Sequence, residues 1–502
     1  MSQELMIQNI QKAQREIDRK NETVEKGRMR QKYHFMPQTG WMNDPNGLIY
    51  FRGKYHIFFQ YNPYGCFWDS MHWGHAVSED MLHWEYLPLA LAPSQSCDNH
   101  PKGGCFSGSA ITLPDGRHLL MYTGVVKEHQ ANDVYSDVQT QCLAVGDGVD
   151  YIKYAGNPVL DENDLPEGCS KCDFRDPRMW QKKDGTYCCA VGNRPADGSG
   201  QILLFTSADG FKWSFKKVLA ENKNRFGKMW ECPDFFELDG KWVLLTSPQD
   251  MLPKGFEYHN GNGTLCLIGD YDEKTDTFTE QKDQSIDYGI DFYAPQTVLT
   301  PDGRRVMIGW MQNWDTCSIR AQEEPWFGQM SLPRELFLKN GRLYQKPIRE
   351  LDEMRTNKVA YQNISFSDVI QLEGVNGRRI DMEVTIRPEK DQELFQKFAV
   401  RFAQNEQYHT SMSFRPRESV LKIDRKFSGS RRAIIHQRRS KVNWEAGELK
   451  LRFILDRFSV EVFVNDGEQV LTATMYTDQV ADGISFFVDG AANIDVVKYD
   501  LV

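Results

Sequence analysis

The feature that most constrains the fold is a hairpin-like segment that occurs five times from Asp44 onward. Each copy has two short apolar runs around a turn with glycine: GLIYFRGKYHIFFQY, SAITLPDGRHLLMYTG, PRMWQKKDGTYCCAVG, PDFFELDGKWVLLTS and PQTVLTPDGRRVMIGW. The turn glycines are Gly53, Gly116, Gly185, Gly240 and Gly303, at intervals of 63, 69, 55 and 63 residues. Each interval is long enough for a four-stranded sheet with its loops. The repeat therefore predicts a five-bladed β-propeller, in which radial repetition leaves only short, protected sheet edges.

The same repeat predicts where the chemistry lies. Counting back nine residues from each turn glycine gives Asp44, Ser107, Asp176, Glu231 and Ala294, and three of these are carboxylic acids. Equivalent positions of a propeller face one central axis. We therefore expect acids about sixty residues apart in sequence to converge at one end of the channel. Chance periodicity is the alternative.

The remaining chain predicts a helix and a second domain. Leu5, Ile7, Ile10, Ala13 and Ile17 have mostly helical spacing, which predicts an amphipathic helix docked on the body of the protein. After about residue 350, two-residue alternation in segments such as IDMEVTIRP and LKLRFILDRFSVEVFVND is typical of an antiparallel β-sandwich. The predicted protein is all-β, with a helical extension at 1–33, the propeller at 34–350 and the sandwich at 351–502.

Charge and composition favour a small or neutral ligand. The net charge of −10 comes from 70 acidic and 60 basic residues spread along the chain, which argues against nucleic acid or an anionic membrane as partner. The Arg-rich segment from Arg425 to Arg439 is interpreted as a solvated hairpin face, with a polyanion site as the alternative.

The cysteines and the first residues indicate a cytoplasmic protein. Eleven cysteines, an odd number, all lie between Cys66 and Cys317, which is unlike a secreted disulfide framework, so we expect reduced thiols. The charged segment 1–32 has no apolar run of the kind a signal peptide needs, and no transmembrane segment follows.

Two short motifs with metal-binding residue types are interpreted as structural. The ends of the HxxH motif at His72 and His75 point to opposite faces of a strand. His83 follows later in the chain, but no acidic residue has an obvious register as a further metal ligand. Cys169 and Cys172 form a single CxxC without a second pair. We therefore expect no metal and no other cofactor.

The three acids suggest hydrolysis of a glycoside. Asp44 stands in WMNDPNG, Asp176 in FRDP and Glu231 in ECPD, so each lies beside a proline or one residue from it. Glycoside hydrolysis needs two carboxyl groups that flank the scissile bond, one to attack or to activate water and one to protonate the leaving oxygen. The sequence offers three candidates.

These motifs resemble the three signature motifs of glycoside hydrolase family 32, the invertase-like β-fructofuranosidases. The resemblance extends over nearly the whole chain after the N-terminal helix. It includes FQYNP with Gln60, the FW pair with Trp68, FSGSA with Phe106 and Ser107, FYAPQ with Tyr293, and the strand DRFSVEVF near the end.

The resemblance implies a role for each acid. Asp44 would be the nucleophile, Glu231 the acid/base and Asp176 a stabiliser of the transition state. Glu231 must carry a proton at the start, which two neighbouring carboxylates would favour. Arg175 would keep the adjacent Asp176 ionised, and a retaining enzyme would hold the carboxyls of Asp44 and Glu231 about 5 to 5.5 Å apart.

The resemblance also implies a set of substrate-binding residues. Asn43 and Gln60 would contact fructose, Trp68 and Phe106 would wall the pocket, and Ser107 would add a hydrogen bond. Trp310 would close the other side, and the set is completed by Arg175 and Tyr293. For each aromatic residue, core packing is the alternative.

The sequence thus predicts a retaining β-fructofuranosidase. It would release terminal β-linked fructose from sucrose, sucrose 6-phosphate or short fructo-oligosaccharides through a covalent fructosyl-enzyme, as a monomer or homodimer. A fructosyltransferase of the same fold is the second hypothesis, because the acceptor alone decides between the two outcomes. A sugar-binding propeller without catalysis is the third, and it would have no need of a nucleophile and a proton donor.

Overall fold

The computed structural model describes residues 2–23, 30–130, 134–317, 324–429 and 435–502. The first sheet contains β1 (Gly40–Phe51), β2 (Lys54–Asn62), β3 (His72–Ser78) and β4 (Glu85–Leu91), and the second contains β5 (Gly104–Thr112), β6 (His118–His129), β7 (Tyr135–Gly146) and β8 (Tyr151–Lys153). The third sheet contains β9 (Cys169–Gln181), β10 (Tyr187–Pro195), β11 (Gln201–Ser207) and β12 (Ser214–Glu221). The fourth contains β13 (Trp230–Leu238), β14 (Lys241–Pro248), β15 (Leu265–Asp272) and β16 (Thr277–Gln284). The fifth contains β17 (Tyr293–Leu299), β18 (Arg305–Trp310), β20 (Arg334–Lys339) and β21 (Arg342–Pro347), and between them β19 (Trp326–Phe327) pairs in parallel with β1.

These five sheets form a closed ring, which confirms the predicted five-bladed propeller. The first strand of each sheet lies innermost: β1, β5, β9, β13 and β17 each contact the next, and β17 returns to β1. All five predicted turn glycines have φ between +78° and +92°, a region that only glycine adopts without strain. The sequence repeat is therefore the repeat of the blades.

Each inner strand is interrupted where the nine-residue count places the predicted site. Pairing with the second strand shifts register between Met42 and Pro45, Phe106 and Gly108, Arg175 and Arg178, Glu231 and Asp234, and Tyr293 and Gln296. A β-bulge bends its strand and re-aims a side chain. In four blades a proline, which has no N–H to donate, lies within or next to the break. The bulges thus turn one residue per blade toward the axis.

The C-terminal strands form the predicted β-sandwich. They are β22 (Arg355–Ile370), β23 (Ile380–Pro388), β24 (Lys397–Gln404), β25 (Thr410–Arg415), β26 (Val420–Asp424), β27 (Gln437–Lys441), β28 (Leu449–Asp456), β29 (Ser459–Val464), β30 (Gln469–Thr474) and β31 (Gly483–Leu501). The long strand β31 pairs with β24 through its first half, with β23 through its second half, and with β22 along most of its length. One strand therefore belongs to both layers, and β30 is left at the end of one of them.

The helix α1 (Ser2–Thr23) docks on the first blade, as predicted. Its buried stripe consists of Met6, Ala13 and Ile17, whereas Ile7 is 47% exposed, so the predicted stripe is wrong at that position. In the described part of the chain, short 3₁₀ helices cover Glu162–Asp164, Arg349–Met354 and Asn465–Gly467. Among the described residues no helix is both long enough and apolar enough to cross a membrane.

Buried charges connect the propeller to the sandwich. Arg334 of β20 binds Glu461 of β29 at 2.5 Å. The two ring nitrogens of His34 lie 2.8 Å from Asp456 and 3.1 Å from Glu461. Burial opposes the charge on His34, but the two carboxylates outweigh it and raise the pKa of His34 to about 9.

Arg425 corrects the interpretation of the basic segment. Its side chain is fully buried and binds Asp291 of the propeller at 2.5 Å, so this end of the segment is not a solvated face. A strand pattern cannot show which of its cations meets a neighbouring domain. Residues 430–434 of the same segment lie outside the described residues.

Candidate active site

The three predicted acids meet at one end of the propeller channel. Asp44 and Asp176 are 8% and 5% exposed. Cys232 lies between them: its backbone N–H donates to Oδ2 of Asp176 at 2.9 Å, and its Sγ is 3.6 Å from that oxygen and 3.7 Å from Oδ2 of Asp44. Glu231, the residue before Cys232, completes the cluster. Three bulges from three blades thus supply one acid each.

The two carboxylate oxygens of Asp44 are in different surroundings. Its Oδ2 accepts a hydrogen bond from Oγ of Ser107 at 3.3 Å, whereas its Oδ1 has no hydrogen-bond partner within the described residues. Burial, followed by the negative charges of Glu231 and Asp176, raises the pKa of Asp44 to about 8. A buried oxygen without a donor is more nucleophilic than a solvated one, because no hydrogen bond must be broken before it attacks.

Asp176 is held more firmly in its ionised form. Burial raises its pKa, but the positive charge of Arg175 and the hydrogen bonds from Cys232 work in the opposite direction, and the pKa of Asp176 is about 6. Its backbone N–H donates to Oγ1 of Thr123 at 2.9 Å, which ties this strand to the preceding blade. Asp176 therefore ionises before Asp44 as the pH rises.

Glu231 has two oxygens with different partners. Nε and Nη2 of Arg175 both donate to Oε1 at 2.9 Å, and the hydroxyl of Tyr293 lies 2.7 Å from Oε2. Arginine is only a donor, so a proton carried by Glu231 must sit on Oε2. The Tyr293 hydroxyl also lies 3.0 Å from the carbonyl oxygen of Ser247 and can donate there when Oε2 is protonated. The arrangement accommodates Glu231 with and without its proton, as an acid/base requires.

Arg175 contacts a different acid from the one that its sequence position suggests. Its hydrogen bonds go to Glu231 and, through Nη1 at 2.8 Å, to Asp173, although its charge still favours ionised Asp176. Asp176 has a φ of 66° in the bulge that follows Arg175, so the bulge and not a regular strand sets the directions of these two side chains. Asp173 in turn binds Arg194 at 2.5 Å, which extends the charged row from Glu231 outward to the surface.

Two predicted amides are buried on the strands of the first blade. Asn43 and Gln60 are each 2% exposed. Oδ1 of Asn43 accepts from the indole N–H of Trp41 at 2.8 Å, and Nε2 of Gln60 donates to the carbonyl oxygen of Cys105 at 3.0 Å. These bonds fix the orientation of both amides.

The predicted aromatic residues fall into two groups. Trp68 is 38% exposed and meets the ring of Phe106 edge-on at 5.6 Å, so this pair forms an open wall. Tyr293 and Trp310 have no exposed surface. Trp310 packs against Trp41 at 5.9 Å, and its complete burial favours support of the pocket from behind over its predicted place on the pocket surface. The family resemblance places Trp310 near the site but does not show which way its ring points.

The histidines of the HxxH motif belong to the core. Nδ1 of His72 lies 3.0 Å from the carbonyl oxygen of Ser70, whereas Nε2 of His75 faces Nδ1 of His56 at 3.0 Å. Burial lowers the pKa of His72 to about 4. All eleven cysteines lie within the described residues, and none of them forms a disulfide there, including the CxxC pair.

Sequence reasoning missed several residues that shape the site. Cys232 was visible inside ECPD, but only the structure shows its thiol between two acids. Gln139 and Gln141, on the third strand of the second blade, bind the backbone N–H and carbonyl of Phe174 at 2.8 and 2.7 Å and so position Arg175 and Asp176. No motif in the sequence marks them.

Comparison with known proteins identifies the family. The model described as "Glycosyl hydrolases family 32 N-terminal domain" matches residues 34–347, and the family's C-terminal model matches residues 350–501. The chain belongs to glycosyl hydrolase family 32. It is therefore a glycoside hydrolase, with the propeller and sandwich of that family.

Individual relatives match this family-32 chain over nearly its full length. The raffinose invertase of Escherichia coli is 36% identical over 478 residues, which are 93% of each chain, and a sucrose-6-phosphate hydrolase of Escherichia coli is 36% identical over 461 residues, 88% of each. The solved structure of the Bombyx mori GH32 β-fructofuranosidase covers 98% of this chain and 97% of its own, with 33% identity and a TM-score of 0.81. A mutant of that enzyme was solved in complex with sucrose.

Proposed function

We propose that the protein is a retaining β-fructofuranosidase that hydrolyses terminal β-fructosyl bonds of sucrose, sucrose 6-phosphate or short fructo-oligosaccharides. The observation that carries the proposal is the pairing of two carboxyls: an Asp44 whose buried Oδ1 makes no hydrogen bond within the described residues, and a Glu231 whose proton can sit only on Oε2. The β-fructofuranosidase, sucrose-6-phosphate hydrolase and invertase among its relatives support the choice of substrate.

In the first step Asp44 attacks C2 of fructose while Glu231 protonates the leaving oxygen. As the bond breaks, the ring becomes oxocarbenium-like, and the charge of Asp44 then collapses onto C2 to form a fructosyl-enzyme. Oε2 of Glu231 gives its proton to the departing sugar, whose alkoxide is otherwise a poor leaving group. Asp176 remains ionised and stabilises the positive charge and the fructose hydroxyls.

In the second step Glu231 acts as a base. Having lost its proton, it takes one from water, and the water oxygen attacks C2 from the side that the leaving group occupied. Asp44 departs as a carboxylate, and the product keeps the β configuration. A transferase would use a sugar hydroxyl in place of water; product analysis at high sucrose concentration distinguishes this alternative.

The electrostatics of the cluster link the two proton states. The negative charge of Glu231 is one cause of the raised pKa of Asp44, so a proton on Glu231 removes that cause. Protonation of Glu231 and ionisation of Asp44 therefore favour each other, and this is the state that begins the reaction.

The remaining features of the proposal are organisation and location. We assign 1–33 to a helical extension, 34–350 to the catalytic propeller and 351–502 to the sandwich, a division that the two family-model matches support. Eleven cysteines without a disulfide in the described residues support a cytoplasmic location, and a monomer or homodimer without nucleic acid or membrane fits the dispersed charge.

Proton NMR of the first product tests the mechanism. With sucrose as substrate, retention requires β-fructofuranose to appear before it mutarotates, and an α-anomer as first product would refute the roles of the acids. Comparing kcat/KM for sucrose, sucrose 6-phosphate and a fructo-oligosaccharide then identifies the preferred substrate.

A further inference from the structure

The segment that leads into the last blade is built into the sandwich. Between β16 and β17, the backbone N–H groups of Tyr288 and Ile290 donate to the carbonyl oxygens of Val470 and Thr472 on β30, at 2.8 and 2.7 Å. The segment thereby continues the sandwich sheet beyond its last strand, β30. Propeller and sandwich share a sheet edge here.

Asp291 locks this segment in place with a buried charge. Its side chain is fully buried, and its Oδ2 accepts from Nη1 of Arg425 at 2.5 Å and from both the backbone N–H and the hydroxyl of Thr474 at 2.8 Å. Its Oδ1 accepts from the hydroxyl of Thr316 at 2.9 Å. One carboxylate therefore joins the sandwich to two segments of the propeller.

One of these propeller segments carries an active-site residue, and the other carries a ring that packs behind the pocket. Asp291 stands two residues before Tyr293, whose hydroxyl contacts Oε2 of Glu231 at 2.7 Å. Thr316 stands two residues after Trp314, whose ring packs 5.1 Å from Trp310 behind the pocket. A displacement of Asp291 would consequently reach the proton donor and the support of the pocket.

Close packing makes this connection stiff. A Cβ added to Gly289 would lie 2.1 Å from the backbone nitrogen and 2.3 Å from the carbonyl oxygen of Thr472. Gly289 is thus a position where two backbones touch, and any side chain would force the segment away from β30.

Stability alone is a poor explanation for a buried ion pair at this point. Desolvation cancels most of the attraction of such a pair, and apolar replacements are often as stable, so the pair is weak evidence for a role in stability. The sandwich already has an extensive apolar core, which Tyr288 and Ile290 join.

We propose that Arg425 and Thr474 of the sandwich, acting through Asp291, are positioning residues for the proton donor Glu231. The proposal rests on the function proposed above, because it requires Glu231 to protonate the leaving group. It gives the sandwich a part in catalysis: the domain sets the position of the Tyr293 hydroxyl on Oε2.

The test uses three variants that disturb this connection to different degrees: Thr474→Val, Gly289→Ala and Arg425→Gln. Each is assayed with sucrose and with a nitrophenyl β-fructofuranoside, whose leaving group departs without protonation. We expect kcat/KM for sucrose to fall at least about tenfold in Gly289→Ala and Arg425→Gln, and less in Thr474→Val, with a much smaller loss on the activated substrate. If Arg425→Gln does not fold, the other two variants carry the test.

Two matched controls separate positioning from stability. Asp381 is also fully buried and forms ion pairs with Arg355 at 2.6 Å and with Arg452 at 2.7 Å. All three of these residues belong to strands of the sandwich. A Cβ on Gly269 would meet the carbonyl oxygen of Thr279 at 2.1 Å, at the outer edge of the fourth blade. Asp381→Asn and Gly269→Ala should lower Tm without changing the ratio of the two activities.

The outcomes distinguish the inference from the function on which it rests. Glu231→Gln must itself lose far more activity on sucrose than on the activated substrate; if it does not, the proposed function fails. If Glu231→Gln behaves as expected, but the connection variants lose activity equally on both substrates, or lose only Tm as the controls do, the sandwich does not position the proton donor and the inference is overturned.

Discussion

Replacing Tyr293 by phenylalanine removes one hydroxyl from the proton donor and leaves the fully buried ring in place. The hydroxyl lies 2.7 Å from Oε2 of Glu231 and 3.0 Å from the carbonyl oxygen of Ser247. Without it, Oε2 loses the neighbour that fixes its direction in both proton states. We expect Tyr293→Phe to slow the step in which the leaving group is protonated.

The size of the effect follows from the contact. A hydrogen bond to a charged group contributes about 1.5 to 3 kcal/mol, and the carboxylate form of Glu231 is such a group. If that energy is lost in the transition state, kcat/KM for sucrose falls about 10- to 100-fold. The variant also leaves the Ser247 carbonyl without this donor, which costs about 1 kcal/mol of stability.

Steady-state kinetics with two leaving groups test this reasoning. A nitrophenyl β-fructofuranoside needs little protonation, so its kcat/KM should fall much less in Tyr293→Phe than that of sucrose. Circular dichroism at the assay temperature controls for folding. Equal losses on both substrates would refute the argument, because they would show that the hydroxyl supports the site in general and not the proton transfer.

Three further predictions concern charge and packing. Asp176→Asn removes one negative neighbour of Asp44, whose pKa is about 8, so the acid limb of the pH profile of kcat/KM should move to lower pH although the maximum falls; an unmoved limb would contradict the cluster. The pKa of His34 rises from 6.5 to about 9, so the contribution of its charge to stability is complete below pH 6.5 and is lost as the pH rises through 9. The Tm of His34→Gln should therefore fall less than the Tm of the wild type between about pH 6 and pH 10. Equal losses of Tm would exclude this role of His34. Because Trp68 is 38% exposed, Trp68→Ala should raise KM for sucrose with little change in Tm. Trp310 is fully buried, so Trp310→Ala should mainly lower Tm. The reverse pattern would place Trp310 on the pocket surface.

The fold could be predicted from the sequence because its signals are local and repeated. The turn glycines adopt positive φ in all five blades, and the same spacing from each of them leads to the bulged position of the inner strand. The convergence of Asp44, Asp176 and Glu231 then follows from topology, since equivalent positions of the blades share one axis.

The partners of these residues could not be predicted in the same way. Arg175 adjoins Asp176 in sequence but binds Glu231, 56 residues away, and Arg425 binds Asp291 across 134 residues. Such pairs depend on how blades and domains pack, which no short motif records. Likewise, motif position could not show that Trp310 lies behind the pocket and Trp68 at its surface.

The central claim is that Asp44 forms a covalent bond with fructose. It is tested most directly by mass spectrometry of Glu231→Gln incubated with the nitrophenyl β-fructofuranoside and quenched in acid. In this variant the activated bond can still break, but no base activates water, so the fructosyl-enzyme should accumulate. We predict a fructosyl group on the peptide that contains Asp44, and none when Asp44 is also replaced by asparagine. A fructosyl group on Asp176, or release of nitrophenol at the full wild-type rate without any labelled peptide, would contradict the assignment.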